Sequence, residues 1–80
     1  MNVELHKEAV LNKDVSEIGL KAGDVVMPLD FVPGPLGKEE GCVFEYFNVL
    51  GESLGVHAVE CSALEPLTED EVFSVRRIHT

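Results

Sequence analysis

Ile18-Gly19-Leu20-Lys21-Ala22-Gly23-Asp24-Val25-Val26 is the stretch whose reading decides the fold. A polar pair sits between two glycines, and an alternating apolar run begins immediately after. A type I turn accepts Lys21 and Ala22 at its centre. Gly23 suits the next position, where positive φ is often needed. Such a turn sends two strands apart.

The strand that follows is the clearest in the chain. From Asp24 to Phe31, period-2 alternation places Val25, Met27, Leu29 and Phe31 on one face, read as inward. Asp24, Val26, Pro28 and Asp30 then share the wet face. Pro28 has no N–H to donate, so it predicts an edge or a bulge at that position.

Working outward, Ala9-Val10-Leu11 between charges reads as a short first strand. Val32 to Gly41 is irregular by composition, with two prolines and three glycines, and is either a candidate binding loop or a freely varying connection. Cys42 to Leu50 is a third strand. Glu45 pointing to water puts Cys42, Phe44 and Tyr46 inward and Val43 and Phe47 outward. Leu54 to Cys61 is a fourth, with Val56, Ala58 and Glu60 outward and His57, Val59 and Cys61 inward. Ala63 to Leu67 reads as leaving the sheet. Thr68-Glu69-Asp70-Glu71 has the spacing of a capping box and predicts one short helical turn near the C-terminus. Val72 to Ile78 is a final strand or a continued short helix; so short a run fits both. Together these elements predict a mainly β chain, a small SH3-like barrel of about five antiparallel strands filling residues 1–80 as one domain.

Charge narrows the partners. Fifteen acids against six bases give −9 at pH 7. Such a surface repels phosphate backbones and anionic membranes, and the one adjacent basic pair, Arg76-Arg77, is too little for a nucleic-acid footprint. A basic protein surface is its natural complement. A hydrophobic fraction of 45% fits a folded domain, and a core this small gains from dimerisation or a partner. No run approaches a membrane span, and Met1 to Glu8 carries acids where a signal peptide needs bases, so the expected compartment is the cytoplasm. Cys42 and Cys61 do not form a disulfide framework.

Chemical motifs are sparse. The candidate nucleophiles Cys42 and Cys61 and the candidate bases His6, His57 and His79 share no local pattern, although a Cys42–His57 pair across neighbouring strands is one arrangement the topology allows. Cys-x-x-Cys, His-x-x-x-His, an EF-hand and a phosphate loop are all missing, so no cofactor and no metal is expected. An outer apolar patch of Val26, Pro28, Val43, Phe47, Val56 and Ala58, rimmed by Glu45, Glu52 and Glu60, is what a protein contact looks like. The alternative is that Val72 to Ile78 folds over it.

The motifs Gly19-Leu20-Lys21-x-Gly23-Asp24-Val25, Glu45-x-Phe47-Asn48-x-x-Gly51-Glu52 and Ser62-Ala63-Leu64-Glu65-Pro66-Leu67-x-x-Asp70-Glu71-Val72-x-x-Val75-Arg76 occur in that order. The ordered set resembles a bacterial family labelled only as domain of unknown function 4926. The resemblance covers nearly the whole chain. It implies a small SH3-like barrel, no established activity, and an antitoxin- or immunity-type role beside toxin-like proteins. One departure is Gly55-Val56-His57-Ala58, where similar proteins carry a run of valines.

The expected function is therefore a small, acidic, non-enzymatic module that binds a basic protein. The partner-binding residues are Val43, Glu45, Phe47, Glu52 and Glu60. Two other readings stand beside it: an accessory subunit stabilising a larger cytoplasmic enzyme or redox complex, and a small enzyme using Cys42 or His57. A homodimer is the other assembly such a chain invites.

Overall fold

A computed structural model describes residues 3–34 and 38–67. Five antiparallel strands, β1 (Ala9–Leu11), β2 (Val25–Val32), β3 (Gly41–Phe47), β4 (Ser53–Glu60) and β5 (Leu64–Pro66), form one sheet in the order β4-β3-β2-β1-β5. Two 3-10 turns, Ser16–Ile18 and Cys61–Ala63, are the helical elements among the described residues. The chain is mainly β, as alternation predicts. The expected helical turn at Thr68 to Glu71 and the final element at Val72 to Ile78 lie outside the described residues.

The opening turn is shifted by one residue from its expected frame. The Asp24 amide donates to the Lys21 carbonyl at 3.0 Å, so Ala22 and Gly23 occupy the centre, and Gly23 takes φ 96°. That φ is the one a type II turn demands at its third residue, and glycine meets it without a Cβ penalty.

Asp24 is a correction to the sequence reading. Instead of facing water it is fully buried, at 0% exposure. Its carboxylate Oδ2 accepts the Lys21 N–H at 2.8 Å, and its carbonyl accepts the Leu11 N–H at 3.0 Å. Asp14 supports the same turn from outside by accepting the Ala22 N–H. A short carboxylate placed this way replaces the water that a turn's amides would otherwise need.

The faces of β2 are a second correction. Val26 and Pro28 are inside, not outside, and Met27 lies opposite Glu45 on the outer face. The cause is a bulge: Pro28 pairs with Phe44 but Asp30 pairs with Val43, leaving Leu29 as an extra residue. One inserted residue inverts the alternation. Beyond it the expected pattern holds, with Asp30 exposed and Phe31 packed against the core. A break at Pro28 is what its missing N–H predicts.

The third correction is β5. Leu64 to Pro66 does not leave the sheet; Leu64 pairs with Leu11, Glu65 with Val10 and Pro66 with Ala9. Leu64 is buried and needs the cover that β1 supplies. Asn12 fixes the junction, its backbone N–H donating to the Ala63 carbonyl at 2.8 Å and its Nδ2 to the Ser62 carbonyl at 2.7 Å.

The core joins Ala9 and Leu11, Val15 and Leu20, Val26, Cys42 and Phe44, and Leu64. Phe44 is its largest fully buried side chain. The inward reading of β3 holds in full, with Cys42 and Phe44 buried and Tyr46 packed against them.

Asp24→Ala removes the acceptor of a turn amide and is expected to cost about 1–3 kcal/mol. At about 4–8 °C per kcal/mol for a domain this size, the melting temperature should fall clearly. Asp30→Ala, on the exposed side of the bulge, should change stability by no more than about 0.5 kcal/mol. Thermal and urea denaturation of both variants checks the contrast; equal effects would return Asp24 to the surface.

Candidate functional site

Cross-strand pairing gathers the outer face into rows. Met27, Glu45 and Val56 form one row across β2, β3 and β4, and Asp30, Val43 and Ala58 form the next. Phe47 lies opposite Ser53 beyond a second irregularity. Val43, Glu45 and Phe47 are half-buried, while Val56 is 56% exposed. Of the expected patch, Val43, Phe47, Val56 and Ala58 are therefore on this face, Val26 and Pro28 are not, and Met27 takes their place.

The hairpin joining β3 and β4 extends this surface. Asn48 Oδ1 accepts the amides of Leu50 (2.9 Å) and Glu52 (3.0 Å), and Gly51 turns the chain at φ 82°. That scaffold lifts Val49 and Leu50 into solvent, Leu50 at 80% exposure. A groove of about 430 Å³ opens between this hairpin and the start of β2, lined by Val25, Met27, Phe47 and Val49, with Glu8 among its walls. Met27, Val49 and Leu50 were not foreseen as surface residues. Two aliphatic residues inside a turn of Asn and Gly were the signal for the latter pair, because turns normally carry polar residues there.

The expected acidic rim divides in two. Glu45 Oε2 accepts the Ser53 hydroxyl at 2.7 Å, and Glu52 Oε1 accepts Asn48 Nδ2 at 3.0 Å. Both carboxylates sit at the hairpin end with neutral partners, so their charge is uncompensated by these contacts. Glu60 ends β4, roughly 13 Å along the strands from Glu45, which lies opposite Val56, and roughly 25 Å from Glu52 at strand rise. It is paired with Lys13, whose ammonium holds the Glu60 carboxyl below its ordinary value and is itself raised in return. Val43, Glu45, Phe47 and Glu52 thus share the outer face and its hairpin end with uncompensated carboxylates, and Glu60 differs from them in being paired with Lys13.

Nucleophilic chemistry has poor support at Cys42. The side chain is fully buried, and burial pushes the thiol up to about 11, with neighbouring Cys61, Asp30 and Glu40 adding to the effect. It remains protonated at neutral pH and donates weakly to the Val43 carbonyl at 3.7 Å. His57 is on the same inward side but packs edge-on against Phe44, with ring centroids 6.1 Å apart, and its Nε2 lies 4.0 Å from Glu17 Oε2. Among the described residues no three His, Cys, Asp or Glu side chains converge on a point that suits a metal ion. No helix there is long and apolar enough to cross a membrane.

The loop before β3 is anchored where it is described. Glu39 accepts the Ser62 backbone N–H at 3.1 Å and the Ser62 hydroxyl at 2.8 Å, tying the loop to the Cys61–Ala63 turn. Compared with protein-family models, curated proteins and solved structures, the chain matches none.

The Cys42 thiol carries a pH signature. Its raised folded value means the folded state holds a proton that the unfolded chain releases near pH 9. Its contribution is complete below that pH and declines as pH rises toward 11. Denaturation midpoints of the parent chain should fall across this window more steeply than those of Cys42→Ala. Parallel slopes would place the thiol in contact with water.

Proposed function

We propose that this chain is a non-enzymatic protein-binding module that takes a basic partner on the outer face of β3 and β4. One observation carries the reading: exposed aliphatic residues at Val49, Leu50, Leu54 and Val56 lie beside Glu45 and Glu52. Scattered exposed apolar residues are ordinary, but a cluster around one hairpin, continuous with a groove, is the composition of a contact site. The carboxylates steer a cationic surface toward it, and the apolar residues hold it once water is displaced.

The net charge of −9 supports the sign of the partner. The buried, protonated thiol of Cys42 supports binding over nucleophilic catalysis. The resemblance to the family of unknown function points to an antitoxin- or immunity-type role, in which the basic partner is a protein that this chain restrains.

Charge reversal at the hairpin end tests this. Co-purification from the native cell should recover a basic protein at low salt and release it at high salt. The double variant Glu45→Lys, Glu52→Lys, folded as judged by circular dichroism, should lower the association rate roughly 10-fold or more. A partner held equally by parent and double variant, or insensitive to salt, would overturn the assignment.

A further inference from the structure

The sheet ends in two very different edges. β5 is three residues long and contains Pro66, and natural proteins protect sheet edges with shortness and proline. β4 is eight residues long, Ser53-Leu54-Gly55-Val56-His57-Ala58-Val59-Glu60, with no proline and no lysine or arginine, and no acid until its last residue. Among the described residues it pairs with one strand alone, β3. In an antiparallel pair, alternate residues turn their N–H and C=O groups away from the neighbour. Beyond the bulge at Leu54, the far side of β4 from Gly55 to Glu60 therefore presents a ladder of main-chain donors and acceptors.

The surroundings of that ladder are acidic on both sides from Ser53 to His57, while Lys13 pairs with Glu60 at the far end. On the outer face Glu45 pairs with Val56, and Glu52 precedes the strand. On the inner side Glu17, whose side chain is 68% exposed, lies beside His57. Along the outer side of the strand itself, Val56 and Ala58 are exposed, as is Leu54 near its start.

We infer that β4 is a strand-acceptor edge, and that the basic partner enters as an extended segment pairing with it main chain to main chain. This rests on the protein-binding reading above and sharpens it. Affinity comes from the backbone ladder, and the partner's alternate side chains meet Val56 and Ala58 on one side and the carboxylates around them. Charge selects this occupant over a second copy. Each copy carries a net charge of −9, so two copies repel at this edge where a basic segment is attracted.

The probe is a capped heptapeptide of alternating arginine and valine, titrated into the full-length chain up to millimolar concentration. Binding is followed by amide spectra and hydrogen exchange. Alternate β4 amides should exchange rapidly in the free protein and slowly in the complex. Two N-methylated isomers, blocked at odd or at even positions, separate main-chain pairing from charge attraction. One should bind roughly 10-fold or more weaker than the parent peptide while the other holds its affinity. Val56→Lys, at an exposed position, should keep the fold and weaken binding roughly 10-fold. Absence of saturable binding, or equal affinity of both isomers and the parent peptide, overturns strand addition. In the second case, salt-sensitive binding lost in Glu45→Lys, Glu52→Lys leaves the basic-partner reading standing. β4 amides already protected in the free chain, whether monomeric or dimeric by sedimentation, would show the edge filled by the chain itself or a second copy, and would also overturn it.

Discussion

One extra residue in β2 decides which side chains this sheet hides and which it shows. With Leu29 unpaired between Pro28 and Asp30, the two halves of the strand obey opposite alternations. Val26 and Pro28 enter the interior from one half, and Phe31 packs against it from the other. Without the bulge, a regular ladder would carry one of these halves to the outer face. Met27 is released to that face by the same device, where it adjoins Glu45 and contributes to the groove beside Phe47. The composition of the candidate site is thus a consequence of how β2 is broken.

Charge on this chain is arranged as well as abundant. Lys13 neutralises Glu60, and Glu39 is spent on Ser62, so carboxylates near the Cys61–Ala63 turn serve the fold. At the hairpin end the acids meet only neutral donors, Ser53 and Asn48. The uncompensated field is concentrated beside the exposed aliphatic residues. That co-location, more than total charge, is what supports the proposal of a protein contact there.

Much of the fold was legible from local pattern. Ala9-Val10-Leu11, the inward set Cys42, Phe44 and Tyr46, and the inward Val59 and Cys61 follow from alternation, and all are found as read. The misreadings share a cause, which is that alternation cannot count an inserted residue or see a remote partner. Met27 was placed inside, and Val26 and Pro28 outside, by extending a regular pattern through a break that Pro28 itself announced, whereas Val25 is buried as read. Asp24 was placed in water because its carboxylate is judged by charge, whereas the Lys21 N–H three residues back makes burial tolerable. Leu64 looked like a departing segment because its partner, Leu11, lies far away in the sequence. At the candidate site, Val43, Glu45, Phe47 and Glu52 were legible as an outward group, while the neutralisation of Glu60 depended on Lys13.

The pairing of β1 with β5 also bears on how quickly the chain reaches its structure. β2, β3 and β4 follow one another directly along the chain, so their hairpins close locally. Ala9–Leu11 and Leu64–Pro66 are separated by the whole of that meander, and their union requires the largest loop closure in the sheet. Topologies dominated by such distant pairings acquire their order slowly, in milliseconds to seconds rather than microseconds. The two shortest strands are therefore the kinetic seam of this molecule: until they meet, Leu11 and Leu64 lack the cover they give each other, and the nascent chain spends that interval with its apolar interior open to its neighbours.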